Sequence, residues 1–302
     1  DATDLRARLV CEGGNLGMTQ RARIEYSLQG GLCHTDAIDN SGGVDCSDHE
    51  VNLKIFLQRE IRASRLTAPE LGQLLREWKD EVAACVLANN RAQTLCLAIA
   101  AREAGRQHRE YGDLADFLEV QAGLDRRLEA LPDPRGWQQR ALERQPLTRP
   151  ELAVLLAYAK NWLKATLASS ALAADSLLLA ELQGAFPPSA RERFGEQLRE
   201  HPLAVPLAAT RLASALTERL GLGALARLLR QPGVTALKLA RAYVVARQLL
   251  SLDELWAELE EQSGRLPHSV LMAQHAGLQR IARRACDWLL QVQADQQAFR
   301  LI

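Results

Sequence analysis

An excess of charge of either sign is the first thing this sequence lacks: 37 lysines and arginines balance 37 aspartates and glutamates over 302 residues. No global basic field is present to attract nucleic acid or anionic lipid, so neither is expected as a partner. Also missing is any CxxC pair. The six cysteines, Cys11, Cys33, Cys46, Cys85, Cys96 and Cys286, follow no framework. With no signal peptide ahead of them, reduced thiols in a cytoplasmic protein are expected. No uninterrupted apolar run approaches the ~20 residues that cross a bilayer, so no membrane association is expected. No heptad register lasts long enough for a coiled coil, and no GxGxxG fingerprint follows an expected strand. The chain opens on Asp1-Ala2-Thr3-Asp4, neither a methionine nor a targeting peptide. That start reads as the edge of a segment cut from a longer polypeptide.

What is present is ordinary globular material, 47% hydrophobic and 25% charged. Its character changes near residue 65. Residues 1–50 are dense in glycine, asparagine, aspartate and threonine, whereas the remainder is dominated by leucine, alanine, arginine and glutamate, the helix formers. The expected fold class is mainly α, with a small βαβ remnant of a Rossmann-like dinucleotide-binding domain followed by a multi-helix bundle. Residues 1–60 are assigned to the end of that first domain and 61–302 to the helical one.

In the first region, Arg8-Leu9-Val10-Cys11 predicts a short strand running into the loop Glu12-Gly13-Gly14-Asn15. Met18–Gln29 favours a helix, stopped by Gly30-Gly31. Leu32-Cys33-His34-Thr35 predicts a second strand, and Asp36–Val44 a polar, glycine-containing loop. Strand, loop, helix, strand, loop is the rhythm of a βαβ unit, which places ligand-binding loops at strand ends. One such unit cannot make a sheet alone, and its partner strands must lie elsewhere.

In the second region, Ser47-Asp48-His49-Glu50 has capping-box spacing, followed by a stripe of Val51, Leu53, Ile55, Phe56 and Leu57. Thr67-Ala68-Pro69-Glu70 and Thr148-Arg149-Pro150-Glu151 share another opening, with proline where its missing donor costs nothing. Further helices are expected at 85–105, 111–130, 151–168, 189–200, 203–220, 235–250, 252–262 and 268–290. Their joints are Pro132-Asp133-Pro134, Pro187-Pro188 and Pro232-Gly233. Leu152, Leu155, Leu156, Ala159 and Leu163 predict one buried face, and Leu278, Ile281, Ala282, Ala285 and Leu289 another. Trp78, Trp162, Trp256 and Trp288 are assigned to core packing. Cys46 and His49, three apart, lack the further ligands that a metal site requires, and no metal is expected.

Chemistry is concentrated in residues 11–50. Glycines in Glu12-Gly13-Gly14-Asn15 and Asn40-Ser41-Gly42-Gly43 let the backbone approach a ligand, and asparagine offers both donor and acceptor to a carboxamide. Each motif alone is equally a turn former. Ser47 alone is equally a plain N-cap.

Taken together and in this order, the two motifs resemble the glutamate dehydrogenase family, which carries Glu-Gly-Ala-Asn and, later, Asn-Ala-Gly-Gly-Val ending in serine. The run from Glu12 through Ile55 is similar to the large bacterial NAD-specific members. The stretches Leu147–Leu155 and Ala242–Arg247 are similar to the helical region of the same subfamily. The resemblance implies NAD as cofactor, with Asn40 on the nicotinamide carboxamide and Asn15 at the nicotinamide ribose. It implies that Gly42 and Gly43 keep the backbone close to the ligands and that Ser47 bonds the side-chain carboxylate of L-glutamate. Gly14 and Ser41 stand where the family has alanine. The family's catalytic lysine and aspartate belong to an earlier substrate domain that no segment here matches. No catalytic residue is therefore assigned, and activity is expected only with the remainder of the same polypeptide, which would oxidise L-glutamate to 2-oxoglutarate; a homo-oligomer is expected. Two alternatives stay open: a non-catalytic helical interaction or oligomerisation module, and a related amino-acid dehydrogenase.

Overall fold

A computed structural model describes residues 2–294; Asp1, at the expected edge, lies outside them. Fifteen α-helices follow in order among the described residues. They are α1 (Gln20–Leu28), α2 (Asp36–Asp39), α3 (Ser41–Arg62), α4 (Ala68–Glu77), α5 (Lys79–Glu103), α6 (His108–Ala122), α7 (Pro134–Glu143) and α8 (Arg149–Ala168). After these come α9 (Ser176–Leu179), α10 (Pro188–Phe194), α11 (Ala204–Leu220), α12 (Leu222–Leu229), α13 (Ala236–Leu249), α14 (Leu252–Glu261) and α15 (His268–Ala294).

Local chemistry explains most of the boundaries. Glu70 accepts from both the amide and the hydroxyl of Thr67, at 2.7 and 2.6 Å, and Glu151 does the same for Thr148 at 2.8 and 2.7 Å. These are the capping boxes of α4 and α8. Thr19 caps α1 by accepting from the Ala22 amide. At its other end Gly30 turns with φ +91°, and a Cβ on Gly31 would stand 2.3 Å from the Tyr26 ring. Only glycine fits there.

Several expectations need correction. The helix expected over 111–130 ends at Ala122 because Gly123 adopts a left-handed φ of 66°. The one expected over 189–200 breaks at Gly195 into α10 and a 3₁₀ turn. The joint Pro132-Asp133-Pro134 also starts α7, where Asp133 accepts from the Gly136 amide at 2.6 Å. Neither expected strand forms: the described residues hold only one parallel bridge, Leu9 to Leu32, with amides bonded across at 2.9 and 3.0 Å. A single bridge without a third strand beside it does not extend into a ladder.

One apolar core runs from Ile38 to Leu290. Its axis is α8, whose Leu152, Leu155, Leu156, Ala159 and Leu163 are all fully buried, as their spacing predicts. Helices α11, α6, α5 and α1 pack around it. Each such leucine contributes about 1.5–3 kcal/mol relative to exposure. Phe56 anchors a second packing centre, edge-on to Phe194 at 5.2 Å and to Phe186 at 6.3 Å. In the α3 stripe Leu53, Phe56 and Leu57 are buried, whereas Val51 is exposed. Trp78 and Trp256 are buried, and Trp162 lies edge-on to Phe117 at 4.8 Å. Trp288 departs from expectation: it is 60% exposed, and Ile281 on the same side of α15 is also exposed. Ala282, Cys286, Leu289 and Leu290 face the core instead.

By length and composition α5 alone among the described helices could cross a bilayer. Here it is a packing helix, set against α3, α8 and α11.

Candidate functional site

The Glu12–Asn15 loop is held by three carboxylates. Glu12 is buried and receives the Arg23 guanidinium in two bonds, Nε at 2.6 Å and Nη2 at 2.8 Å, plus the Met18 amide at 3.1 Å. Asp39 accepts from the Glu12 amide at 3.0 Å, and Asp36 from the Leu16 amide at 2.8 Å. Arg23 holds the Glu12 carboxyl below its ordinary range against the opposing effect of burial. The Leu16 amide does the same for Asp36. Leu16 itself sits at φ +58°, a left-handed conformation that these bonds stabilise.

This frame carries Asn15 to Asn40. The Asn40 carboxamide donates to Asn15 Oδ1 at 3.0 Å, joining positions 25 residues apart. Both residues line the rim of a cleft of about 690 Å³, the size of ligand pockets generally. Asn40 is the C-cap of α2 and the N-cap of α3.

The expected loop 36–44 is therefore helix on either side of one residue, and tertiary contacts explain why. Asn90 on α5 donates to the Ile38 carbonyl at 3.0 Å and to the Ser41 hydroxyl at 2.8 Å, tying the α2–α3 junction to α5. Gly42 meets the same helix, and a Cβ added to it would stand 3.6 Å from Val86. Gly43 faces Asn40: a Cβ there would lie 3.7 Å from Asn40 Oδ1. Ser47 is neither a cap nor part of the cleft lining. It lies mid-helix in α3 and is exposed, because α3 starts six residues before it. Asn15 and Asn40 are thus brought together, Gly43 stands beside them, Gly42 packs against α5, and Ser47 lies apart.

The helical half supplies much of the cleft. Lys160 and Lys164 on α8 and Arg211 on α11 line it, opposite Asp45, Asp48 and His49 on α3. Lys160 is bonded to Glu218 at 2.5 Å. Asn89 links the walls, donating to Asp45 at 2.8 Å and accepting from Arg211 at 3.2 Å. His49 is buried and its Nδ1 has no hydrogen-bond partner among the described residues. None of these contributions had a local sequence signal, since the partners are separated by 44 to 122 residues. The Glu12–Arg23 clamp was likewise unforeseen, although both ends lie within the motif region.

Comparison with known proteins covers both halves. The family described as "Glutamate dehydrogenase, C-terminal" matches residues 144–300, and "Bacterial NAD-glutamate dehydrogenase, catalytic domain" matches residues 1–100. The NAD-specific glutamate dehydrogenase of Pseudomonas aeruginosa is 40% identical over 296 residues, 98% of this chain. Those of Halomonas elongata and Mycobacterium tuberculosis are 37% and 34% identical, each over 96% of the chain. The chain spans 18% of the length of each of these relatives. With both halves matched in the order in which they occur, the chain belongs to the bacterial NAD-specific glutamate dehydrogenase family.

Proposed function

We propose that this chain is the C-terminal part of an enzyme that converts L-glutamate, NAD and water to 2-oxoglutarate, ammonium and NADH. In this reading residues 1–60 end the catalytic domain, and the parallel bridge between Leu9 and Leu32 is the edge of a dinucleotide-binding sheet continued by preceding residues. Residues 61–302 form a helical domain that braces it. The catalytic lysine and aspartate belong to the remainder of the polypeptide, so the chain alone is inactive. The whole enzyme is cytoplasmic and homo-oligomeric, and binds neither membrane nor nucleic acid.

The single observation that carries this reading is the Asn15–Asn40 pair at the cleft rim. Its chemistry suits the nicotinamide end of NAD. One Asn40 N–H is given to Asn15, which leaves Asn40 Oδ1 and the Asn15 amide group free among the described residues. Asn40 would bond the carboxamide and Asn15 the ribose. Gly43 keeps the Asn40 oxygen uncovered, and Gly42 lets α3 sit close against α5. NAD, when bound, supplies the hydride acceptor. Ser47 would reach the substrate carboxylate only through a change in its exposed position.

The test is Asn40→Ala in the full-length enzyme. NAD affinity, read by quenching of protein fluorescence, should fall about tenfold, the worth of one or two buried hydrogen bonds. Unchanged affinity and turnover would sink the assignment.

A further inference from the structure

The outer faces of α14 and α15 carry opposite charge, and each exposes large apolar side chains. On α14 every charged residue is a carboxylate. Asp253 and Glu260 are held by Arg247 and Arg219, at 3.2 and 3.0 Å. Glu254, Glu258 and Glu261 are exposed and have no partner among the described residues. Leu255, 39% exposed, lies among them. On α15 the reverse holds. Its one carboxylate, Asp287, accepts from Gln231 at 2.6 Å and lies 3.6 Å from Arg227 of α12. Arg280 and Arg284 are exposed and unpaired among the described residues. They flank the exposed Ile281 and Trp288, and positions 281, 284 and 288 fall on one side of the helix. The two helices pack against each other and share α13 as their support.

We propose that α14 and α15 form a self-complementary surface through which two copies of this chain pair about a two-fold axis. Arg280 and Arg284 of one copy lie opposite Glu254 and Glu258 of the other, with Trp288 and Leu255 covered between them. This rests on the homo-oligomeric reading above and gives it a location. A two-fold contact uses the same patch on both copies, so α15 of each meets α14 of the other and both charge sets are matched at once. Charge of opposite sign on the two faces fixes that register. Tryptophan and arginine are also the side chains that interfaces concentrate at their centres. A lipid surface would suit the α15 stripe alone, because anionic headgroups repel the unpaired carboxylates of α14 beside it.

The experiment is sedimentation velocity of the full-length enzyme over a range of concentrations, with charges reversed on one helix at a time. Arg280→Glu with Arg284→Glu on α15, or Glu254→Arg with Glu258→Arg on α14, should weaken the assembly roughly tenfold or more. Like charges then face each other across the contact. All four changes together should restore most of the parent affinity. Melting temperatures should stay near the parent value, because all four side chains are exposed. If one set lowers them, recovery of assembly in the combined variant still decides. An assembly unmoved by either set overturns the proposal. So does a weakening that the combined variant fails to recover, since the two faces then do not meet. If either set lowers turnover while the assembly stays intact, the remainder of the same polypeptide covers the face and the second copy is excluded. Glutamate oxidation by the parent is assayed separately, so failure of the functional reading is told apart from failure of this contact.

Discussion

The two Thr-x-Pro-Glu helix openings form a matched pair that differs in burial, and Glu151 is where that difference should be measurable. Its side chain is fully buried; one oxygen accepts from the Thr148 amide and hydroxyl, the other from Arg140 at 2.7 Å. Glu70 makes the same two bonds to Thr67 at the surface. Glu151→Ala removes a cap, worth about 1 kcal/mol, and strands the Arg140 charge, where breaking a buried pair costs about 3–5 kcal/mol. Arg140 keeps 18% of its side-chain surface and can turn toward water, so a total near 3 kcal/mol is expected. Glu70→Ala should cost only a small part of that. Urea unfolding of the 302-residue chain followed by far-ultraviolet circular dichroism reads both, provided the m-values agree. Adding Arg140→Met to Glu151→Ala should recover part of the loss, because the stranded cation goes with it. Equal costs for Glu151→Ala and Glu70→Ala would refute the argument that burial multiplies the value of the box.

The remaining predictions concern acid and the motif loop. His34, His201 and His275 are all held below the ordinary histidine value of 6.5, burial being the largest cause in each and Arg149, Arg59 and Arg219 adding to it in turn. A depressed pKa means that the unfolded chain binds the proton more readily. Stability should therefore be full above pH 6.5 and decline as pH falls through the depressed values. His201 is the clearest case, accepting from the Leu203 amide through Nδ1 while its Nε2 lies 3.1 Å from the Asn52 carbonyl. Melting curves from pH 7.5 to 5 should be flatter in His201→Gln, and an unchanged slope would count against it. Glu12→Gln leaves Arg23 buried without its main partner, so exchange at the Leu16 and Met18 amides should quicken by about tenfold or more. Since Arg23 keeps Glu12 charged below the ordinary 4.5, protection in the parent should persist through that pH and be lost only further down. Equal exchange in the two proteins would show that the clamp does not order the loop.

Helix openings that depend on one turn of chain were legible from the residues alone. Thr67, Thr148 and the Gly30-Gly31 stop act through bonds spanning a few positions, and the α8 leucines fall on one face whatever surrounds them. The resemblance carried by Glu12–Asn15 and Asn40–Val44 was legible for the same reason, being written in contiguous residues. Ser47 failed where Thr67 succeeded. Its capping spacing was genuine, but Asn90, roughly fifty residues away, ties Ile38 and Ser41 to α5, and α3 runs straight through it. Gly42 and Gly43, which propensity places in a loop, fall within α3, where Gly42 lies against Val86 and Gly43 beside Asn40.

The mainly helical class, the capped helix starts and the family thus followed from local chemistry, which acts over three or four residues and leaves a visible pattern; the expected βαβ unit and the ends of several helices did not. Neither did the cleft. Asn15 meets Asn40, Asn89 spans Asp45 and Arg211, and Lys164 lines the same space from α8, all through long-range contacts that no local spacing encodes. The exposure of Trp288 and Ile281 was decided in the same way, by which side of α15 met the core. Side chains distant in sequence converge only once the apolar faces of α3, α5, α8 and α11 have packed, and that packing is what brings the two halves of the chain to one site.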